Sequence, residues 1–125
     1  MSKLKVLIVE DEIIIAWNLK QTLELWEIEV LPIAASAEKA VEQARTGAPD
    51  LILMDMVLKG DKTGINAAME IRRFSQVPII FLTGNSHLLS DPRIQAAQAQ
   101  GMYAKPPSED QLREMLEIAR KTRGR

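Results

Sequence analysis

The sequence contains no cysteine, a single histidine and only 4% aromatic residues. A chain without cysteine forms no disulfide and offers no thiolate ligand to a metal, a composition compatible with the reducing cytoplasm. The single histidine, His87, is predicted to lie in a loop after the fourth strand rather than to accept a phosphoryl group. A metal site in this chain is therefore expected to use oxygen ligands.

Long hydrophobic runs and a large excess of charge are also absent. No apolar run approaches the roughly 20 residues that span a bilayer, and the segment Met1-Ser2-Lys3 leads directly into a strand-like run without a signal peptide. The formal net charge of −1 gives no general attraction to nucleic acid. We therefore expect a cytoplasmic protein with neither a membrane nor a nucleic acid among its partners.

What the sequence does contain is a regular alternation of strand-like and helix-like segments. The 125 residues, 46% hydrophobic and 26% charged, suit one globular domain over 1–125 with a core from about 3 to 122. The pattern repeats strand and helix five times. Because right-handed crossovers place helices on both faces of a parallel sheet, the chain is predicted to adopt a doubly wound α/β fold with five parallel strands.

Local signals predict where several elements begin and end. Pro32 places the second strand, Glu29 to Ala35, at an edge of the sheet. Ser36 is expected to cap the second helix, with Gly47 following its end. Further predictions are a third helix from Ile65 to Phe74, a short fourth helix from Asp91-Pro92 to Gln100, and a capping box from Ser108 to Gln111 before the last helix. Trp17 and Trp26 are both expected to pack in the first helix.

Four hydrophobic runs each stop at a polar side chain. These side chains are the acid pair Glu10-Asp11, then Asp55, Thr83 and Lys105. In an open parallel sheet, ligands bind beyond the carboxyl ends of the strands, which is where these residues are predicted to lie. Two neighbouring acids, a further acid, a hydroxyl and an amine together indicate a site for a divalent cation and a phosphoryl group.

The residue types indicate the chemistry of this site. Three carboxylates in one region, Glu10, Asp11 and Asp55, repel one another unless a cation or raised pKa values offset their charge. Oxygen ligation with open positions suits Mg²⁺. Asp55 is also a candidate nucleophile that forms an acyl phosphate. The hydroxyl of Thr83 and the ammonium of Lys105 are suited to contacting phosphoryl oxygens.

These segments resemble the receiver domain of bacterial two-component response regulators, the CheY-like family. Leu7 to Glu12 resembles the family's acidic pair after the first strand. Thr83 is similar to the switch threonine, and Lys105-Pro106 to the lysine with its typically cis proline. The phosphoacceptor segment is matched by Asp50 to Asp55 with Leu58, Gly60 and Gly64.

The resemblance implies a flavodoxin-like (βα)5 fold with strand order 2-1-3-4-5, and a role for each site residue. Asp55 would accept a phosphoryl group from a histidine kinase or a phosphotransfer protein. Asp11 and Asp55 would bind Mg²⁺ directly, Glu10 through water, and the backbone carbonyl of Val57 would complete the protein ligands. Thr83 and Lys105 would engage the phosphoryl oxygens as catalytic residues.

Because the chain ends about where a receiver domain ends, we expect a stand-alone regulator that signals through contacts with another protein. By the resemblance, it would catalyse only its own phosphorylation and dephosphorylation. The partner surface would comprise the fourth helix, the fifth strand and the last helix, here Asp91 to Gln100, Met102 and Leu112 to Arg120. Its downstream protein is unknown, and a phosphorylation-dependent homodimer is one option. One departure from the family is Met102, which stands where an aromatic switch residue is usual; Tyr103 beside it is predicted to point to the opposite face.

Alternative functions remain open for this sequence. A receiver-fold interaction module that is never phosphorylated, and a phosphate sink that drains a shared kinase, both agree with the pattern. An aspartyl-phosphate phosphatase would need a second acid two residues after Asp55, where Val57 offers no proton. A DNA-binding regulator is disfavoured because no helix-turn-helix pattern follows the last helix.

Overall fold

The computed structural model describes residues 3–58, 63–84 and 97–123, which form a single five-stranded sheet covered by helices. The strands are β1 (Lys5–Val9), β2 (Glu29–Val30), β3 (Leu51–Asp55), β4 (Ile79–Thr83) and β5 (Gly101–Ala104). All neighbouring strands are parallel, and their order is β2-β1-β3-β4-β5. The predicted doubly wound fold and its strand order are therefore confirmed.

Four helices lie within the described part of the chain. They are α1 (Ile13–Leu25), α2 (Ala37–Gly47), α3 (Gly64–Ile71) and the C-terminal helix (Glu109–Arg123). None of these four has both the length and the apolar character that a bilayer crossing requires. The start of the predicted fourth helix at Asp91, and also Gly60 and His87, lie outside the described residues.

The sheet separates two hydrophobic layers because successive side chains of a strand point to opposite faces. On one face α2 and α3 pack against residues that include Phe81, with Met102 at the margin. On the other face α1 and the C-terminal helix pack against residues that include Leu82, with Tyr103 at the margin. Met102 and Tyr103 therefore lie on opposite faces of the sheet, as predicted.

The second strand is shorter than its sequence pattern suggests. Only Glu29–Val30 pairs with β1 as a regular ladder, and a further isolated bridge joins Val9 to Ala34. Pro32 lies between the two, and its ring nitrogen has no proton to donate to a ladder. The edge position predicted from this proline is confirmed, whereas the predicted strand to Ala35 is too long.

The two ends of α2 show what the sequence signals predicted correctly and what they missed. The amide of Lys39 donates to Ser36 Oγ (3.2 Å), so Ser36 caps α2 as predicted. Helix α2 includes Gly47, however, and ends at Ala48 in the left-handed conformation (φ 46°). A Cβ at Gly47 would lie 2.7 Å from Leu31 Cδ1, so a larger residue there would require the Leu31 side chain to shift.

For the third and last helices, too, some predictions from the sequence are confirmed and others are not. The predicted capping box of the C-terminal helix is present: Ser108 N donates to Gln111 Oε1 (2.9 Å), and Gln111 N donates to Ser108 Oγ (3.1 Å). Helix α3 has a capping box between Thr63 and Asn66 that the sequence analysis missed. It ends at Ile71, short of Phe74, because the last residues form tighter i to i−3 turns.

The two tryptophans of the first helical region differ in their surroundings. Trp26 is partly buried against the hydrophobic layer that α1 and the C-terminal helix cover. The guanidinium of Arg113 lies 4.4 Å from its ring centroid. Trp17 is 54% exposed, so the prediction that it packs in the helix is wrong. The buried stripe of α1 consists of Ala16, Leu19 and Leu23, and a residue directly after Ala16 lies outside that stripe.

The amino ends of β4 and β5 are joined by the side chain of Arg72. Its guanidinium donates to the carbonyl oxygens of Val77 (2.6 Å) and Ala97 (3.1 Å) and to Gln100 Oε1 (3.2 Å). Gln100 Oε1 also accepts from the amide of Ile79 (2.8 Å). The Arg72–Gln100 clamp therefore holds the segment before β5 against the start of β4.

Candidate functional site

Three carboxylates meet at the carboxyl edge of the sheet. Glu10 and Asp11 directly follow β1, and Asp55 is the last residue of β3, which is the neighbour of β1. One carboxylate oxygen from each lies within 4.8 Å of the others. Glu10 and Asp55 are both only 3% exposed, while Asp11 is partly exposed. The structure thus brings together the three acids that the sequence predicted as a group.

Lys105 links two of these carboxylates. Its ammonium Nζ lies 3.0 Å from Glu10 Oε1 and 3.1 Å from Asp55 Oδ2. The lysine follows β5, and its peptide bond to Pro106 is cis, as the family resemblance implied. Two buried carboxyl groups therefore share one positive partner in this structure.

Backbone amides fix the other oxygens of the same two carboxylates. The amide of Val57 donates to Asp55 Oδ1 (3.1 Å), and the amide of Glu12 donates to Glu10 Oε2 (3.1 Å). Each carboxylate therefore has one oxygen held by the backbone and the other held by Lys105. Such contacts restrict rotation and fix the direction in which the Asp55 oxygens point.

The site opens into a crevice of about 440 Å³. Its lining includes Asp11, Asp55, Thr83 and Lys105. Val57 also lines the crevice, and its side chain is 55% exposed. Thr83 is 2% exposed at the end of β4. Glu10 lies against Lys105 and Asp55. All six predicted site residues are therefore in or next to one cleft.

Two further lining residues, Glu12 and Gly84, were not singled out from the sequence. Each directly follows a predicted site residue, Asp11 or Thr83. Residues that follow the end of a parallel strand lie at the ligand-binding edge of the sheet, so position alone was a usable signal.

Gly64, the first residue of α3, packs closely against the end of the strand that carries Asp55. A Cβ at this position would lie 1.8 Å from the backbone carbonyl oxygen of Asp55, and the Gly64 amide donates to Met56 O (3.0 Å). No residue with a side chain fits there without moving the end of β3. The resemblance included this glycine, but its contact with the strand that carries Asp55 is visible only in the structure.

The electrostatics of the site follow from burial and hydrogen bonding. Desolvation raises the pKa of Glu10 from 4.5 to about 7, against the opposing hydrogen bonds from the Glu12 amide and Lys105. Burial alone would lower the pKa of Lys105, but its hydrogen bonds to Glu10 and Asp55 outweigh that effect and raise it. Lys105 is therefore charged at neutral pH, while Glu10 exchanges a proton near neutrality.

The donor set fits a magnesium ion. Three carboxylates offer oxygens within 4.8 Å of one another, while only one ammonium contacts the group in the described part of the chain. The surplus negative charge favours a divalent cation, and an all-oxygen set suits Mg²⁺. Glu10, Asp11 and Asp55 are the residues that would hold it, directly or through water.

The raised pKa of Glu10 predicts that the metal-free protein loses stability as the pH rises. Between about pH 4.5 and pH 7 the folded state binds more protons than the unfolded state, so the free energy of unfolding falls across this window. The loss from Glu10 is about 3 kcal/mol, because one pKa unit corresponds to ~1.4 kcal/mol. Urea denaturation in EDTA at several pH values measures it.

Glu10→Gln is expected to remove most of this pH dependence, because glutamine binds no proton in the window. Glu24→Gln, an exposed change on α1, is the matched control and is expected to retain the wild-type slope. Equal slopes for wild type and Glu10→Gln would contradict the raised pKa.

The comparisons with known proteins identify the family. The profile described as response regulator receiver domain matches residues 6–117. The transcriptional regulatory protein PdtaR of Mycobacterium tuberculosis is 35% identical over 115 residues, which is 92% of this chain and 56% of PdtaR. The chain belongs to the response regulator receiver domain family of two-component systems.

Solved structures agree with this assignment. A CheY-like receiver domain protein from Methanospirillum hungatei has a TM-score of 0.89 at 26% identity, covering 98% of each chain. The N-terminal domain of a response regulator/sensory box/GGDEF protein from Carboxydothermus hydrogenoformans has a TM-score of 0.85 at 33% identity, covering 96% of each chain. This chain spans little more than half the length of PdtaR.

Proposed function

We propose that this receiver domain is a phosphorylation-dependent switch in which Asp55 accepts a phosphoryl group from a histidine kinase or a phosphotransfer protein. The observation that carries the proposal is the Asp55 carboxylate, buried at the end of β3 yet lining an open crevice, with one oxygen accepting from the Val57 amide and the other from Lys105. A carboxylate held in this way is oriented for attack on phosphorus.

Each neighbouring side chain has a role in this transfer. An Asp55 oxygen forms a bond to phosphorus while the bond from phosphorus to the donor imidazole nitrogen breaks. Lys105, 3.1 Å from Asp55 Oδ2, offsets charge on the phosphoryl oxygens, and Thr83 in the same crevice supplies a hydroxyl to them. Bound Mg²⁺ would supply the remaining positive charge, held by Glu10, Asp11, Asp55 and the backbone carbonyl of Val57.

The rest of the proposal concerns domain and partners. Residues 1–125 form one receiver domain that acts in the cytoplasm and catalyses no reaction beyond its own phosphorylation and dephosphorylation. The downstream partner binds the face that includes Met102 of β5 and exposed positions of the C-terminal helix between Leu112 and Arg120. Alternatively, phosphorylation causes two copies of this chain to form a homodimer through the same face. Asp91 to Ala96, assigned to the same face from sequence, lie outside the described residues.

Intact mass measurement tests the proposal. Incubation with acetyl phosphate and Mg²⁺ is expected to add one phosphoryl group, and EDTA is expected to prevent the addition. Reduction of the acyl phosphate with borohydride, followed by proteolysis and peptide mass analysis, is expected to locate the group at Asp55. A wild-type protein that gains no mass under these conditions excludes phosphoryl acceptance from this donor.

A receiver-fold module that is not phosphorylated is the second candidate. The observation that favours it is Met102, which lies on the sheet face of Phe81 and Thr83 where the family usually has an aromatic residue. A methionine lacks the large, rigid ring that such a switch residue provides. Absence of phosphorylation in the mass experiment, with Mg²⁺ binding retained, would support this module over the switch.

Val57 is expected to lengthen the lifetime of the phosphorylated state. Its exposed isopropyl group borders the crevice beside Asp55, where a water molecule must approach the phosphorus. Val57→Asn replaces this apolar group with one that orients water, and we expect dephosphorylation about tenfold faster. The decay of phosphorylated protein after donor removal, followed by mass, measures the rate. Val57→Ile is the control that should retain slow decay, and an unchanged rate in Val57→Asn would refute the role.

A further inference from the structure

Glu12 is an acidic residue at the opening of the crevice whose side chain has no structural task in the described part of the protein. Its amide donates to Glu10 Oε2 (3.1 Å), and its carbonyl accepts from the Ala16 amide (3.0 Å). Glu12 occupies the N-cap position of α1, but its side chain makes no capping hydrogen bond and is exposed. The backbone of Glu12 therefore helps to hold Glu10 and the start of α1, while its carboxylate remains available to interact with a molecule that enters the crevice.

Glu12 lines two cavities at this edge of the sheet. The crevice contains Glu12 together with Asp55 and Lys105. A second cavity of about 440 Å³, between α1 and the turn at Pro106, is also lined by Glu12 and Lys105. A donor that approaches from either cavity therefore passes a negative charge before it reaches the acceptor.

The charge of Glu12 matters because of the charge balance in the site once a divalent cation is bound. Lys105 and a divalent cation together offset Glu10, Asp11 and Asp55. Apart from these groups and Glu12, the described lining of the crevice consists of Val57, Leu58, Thr83 and Gly84, all of them uncharged. Among the described lining residues, Glu12 is thus the one charge that these groups leave uncompensated.

We infer that Glu12 selects among phosphodonors by charge, disfavouring doubly negative acyl phosphates relative to phosphoramidates, whose nitrogen is protonated and whose net charge is smaller. The inference rests on the proposed acceptor role of Asp55. Repulsion grows with the charge of the donor and weakens as salt screens it. In both reactions an Asp55 oxygen bonds to phosphorus, and the bond to acetate oxygen or to the protonated nitrogen breaks, releasing acetate or ammonia.

Phosphorylation rates with acetyl phosphate and with phosphoramidate test the inference at saturating Mg²⁺. In low salt, Glu12→Gln is expected to raise the acetyl phosphate rate about threefold and Glu12→Lys about tenfold. The phosphoramidate rate is expected to rise much less in each variant. In about 0.5 M salt the preference should largely disappear. The control, Glu24→Gln, removes the same charge three turns further along α1 and should change neither rate.

The outcomes separate this inference from the proposed function. A wild-type protein that is phosphorylated, with Glu12 variants that alter neither rate or alter both equally, refutes charge selection and leaves the acceptor role intact. A wild-type protein that neither donor phosphorylates refutes the acceptor role and the inference together. A donor preference that persists unchanged in high salt also contradicts an electrostatic cause.

Discussion

Asp55→Asn is expected to abolish phosphoryl uptake from acetyl phosphate at every Mg²⁺ concentration. Asparagine preserves the size of the side chain and an oxygen that can accept from the Val57 amide, which lies 3.1 Å from Asp55 Oδ1. Its amide oxygen is a poor nucleophile, so no acyl phosphate forms. Intact mass after incubation measures the loss, which the proposed acceptor role of Asp55 requires to be complete.

Asp11→Asn is the informative companion variant, because it removes a predicted metal ligand while leaving the acceptor in place. Its uptake is expected to fall at limiting Mg²⁺ and to recover as Mg²⁺ is raised. Circular dichroism should show that both variants are folded. Phosphoryl uptake by Asp55→Asn would place the acceptor on another side chain, and identical magnesium dependence for Asp11→Asn and wild type would remove Asp11 from the metal site.

Gly64→Ala is expected to lower the free energy of unfolding by about 3 kcal/mol. The new methyl carbon would lie 1.8 Å from the carbonyl oxygen of Asp55 and 3.1 Å from Met54 Cγ. Alanine is otherwise favoured over glycine in a helix by about 1 kcal/mol, so a loss of stability has to come from this overlap. Urea denaturation measures the change. Phosphorylation of the folded variant should also slow, because relieving the overlap displaces the end of β3.

Gly101→Ala provides a matched control for the glycine prediction. A Cβ on Gly101 would meet its nearest neighbour, Tyr103 Cε1, at 3.5 Å, an ordinary contact distance. We expect its stability to differ from wild type by less than about 1 kcal/mol. If Gly64→Ala is as stable as Gly101→Ala and retains full phosphorylation, the close approach of α3 to the acceptor strand has no energetic consequence.

The fold was predictable because each buried strand is a short, continuous apolar run. Residues 51–54 and 79–82 are apolar at every position, which is typical of central parallel strands covered on both faces. The C-terminal helix was equally clear, since Leu112, Met115, Leu116 and Ala119 repeat at helical spacing and are all buried. These patterns reflect burial itself, which is the largest energetic term in folding.

Features set by contacts between distant segments were not predictable in the same way. Gly47 was expected to follow the end of α2, but it lies within the helix next to Leu31, which belongs to a different segment. Trp17 was expected to pack because it is large and apolar, whereas the buried stripe of α1 runs through its neighbours. Residue type records a tendency to be buried and not the face of the helix on which the residue lies.

The candidate site contains both features that local sequence predicts and features that depend on contacts between distant segments. The polar residues at the strand ends indicated that Glu10, Asp55 and Lys105 would converge, and the structure brings them together. The pairing of one ammonium with two carboxylates joins residues 95 and 50 positions apart in sequence, and no local pattern specifies it. The raised pKa of Glu10 has the same origin, because desolvation depends on what the completed fold places around the carboxylate.

The Arg72–Gln100 clamp has a consequence for how this sequence tolerates change. Arg72 lies outside the stretch that links Thr83 to the start of β5, and Gln100 is the last residue of that stretch; together they fix the amino ends of both strands. The alignment of the amino ends of β4 and β5 is therefore set by Arg72 together with the last residues of the connection, Ala97 and Gln100. Changes in length before Ala97 should leave Thr83 and Lys105 in place, so that part of the sequence can vary without disturbing the proposed site.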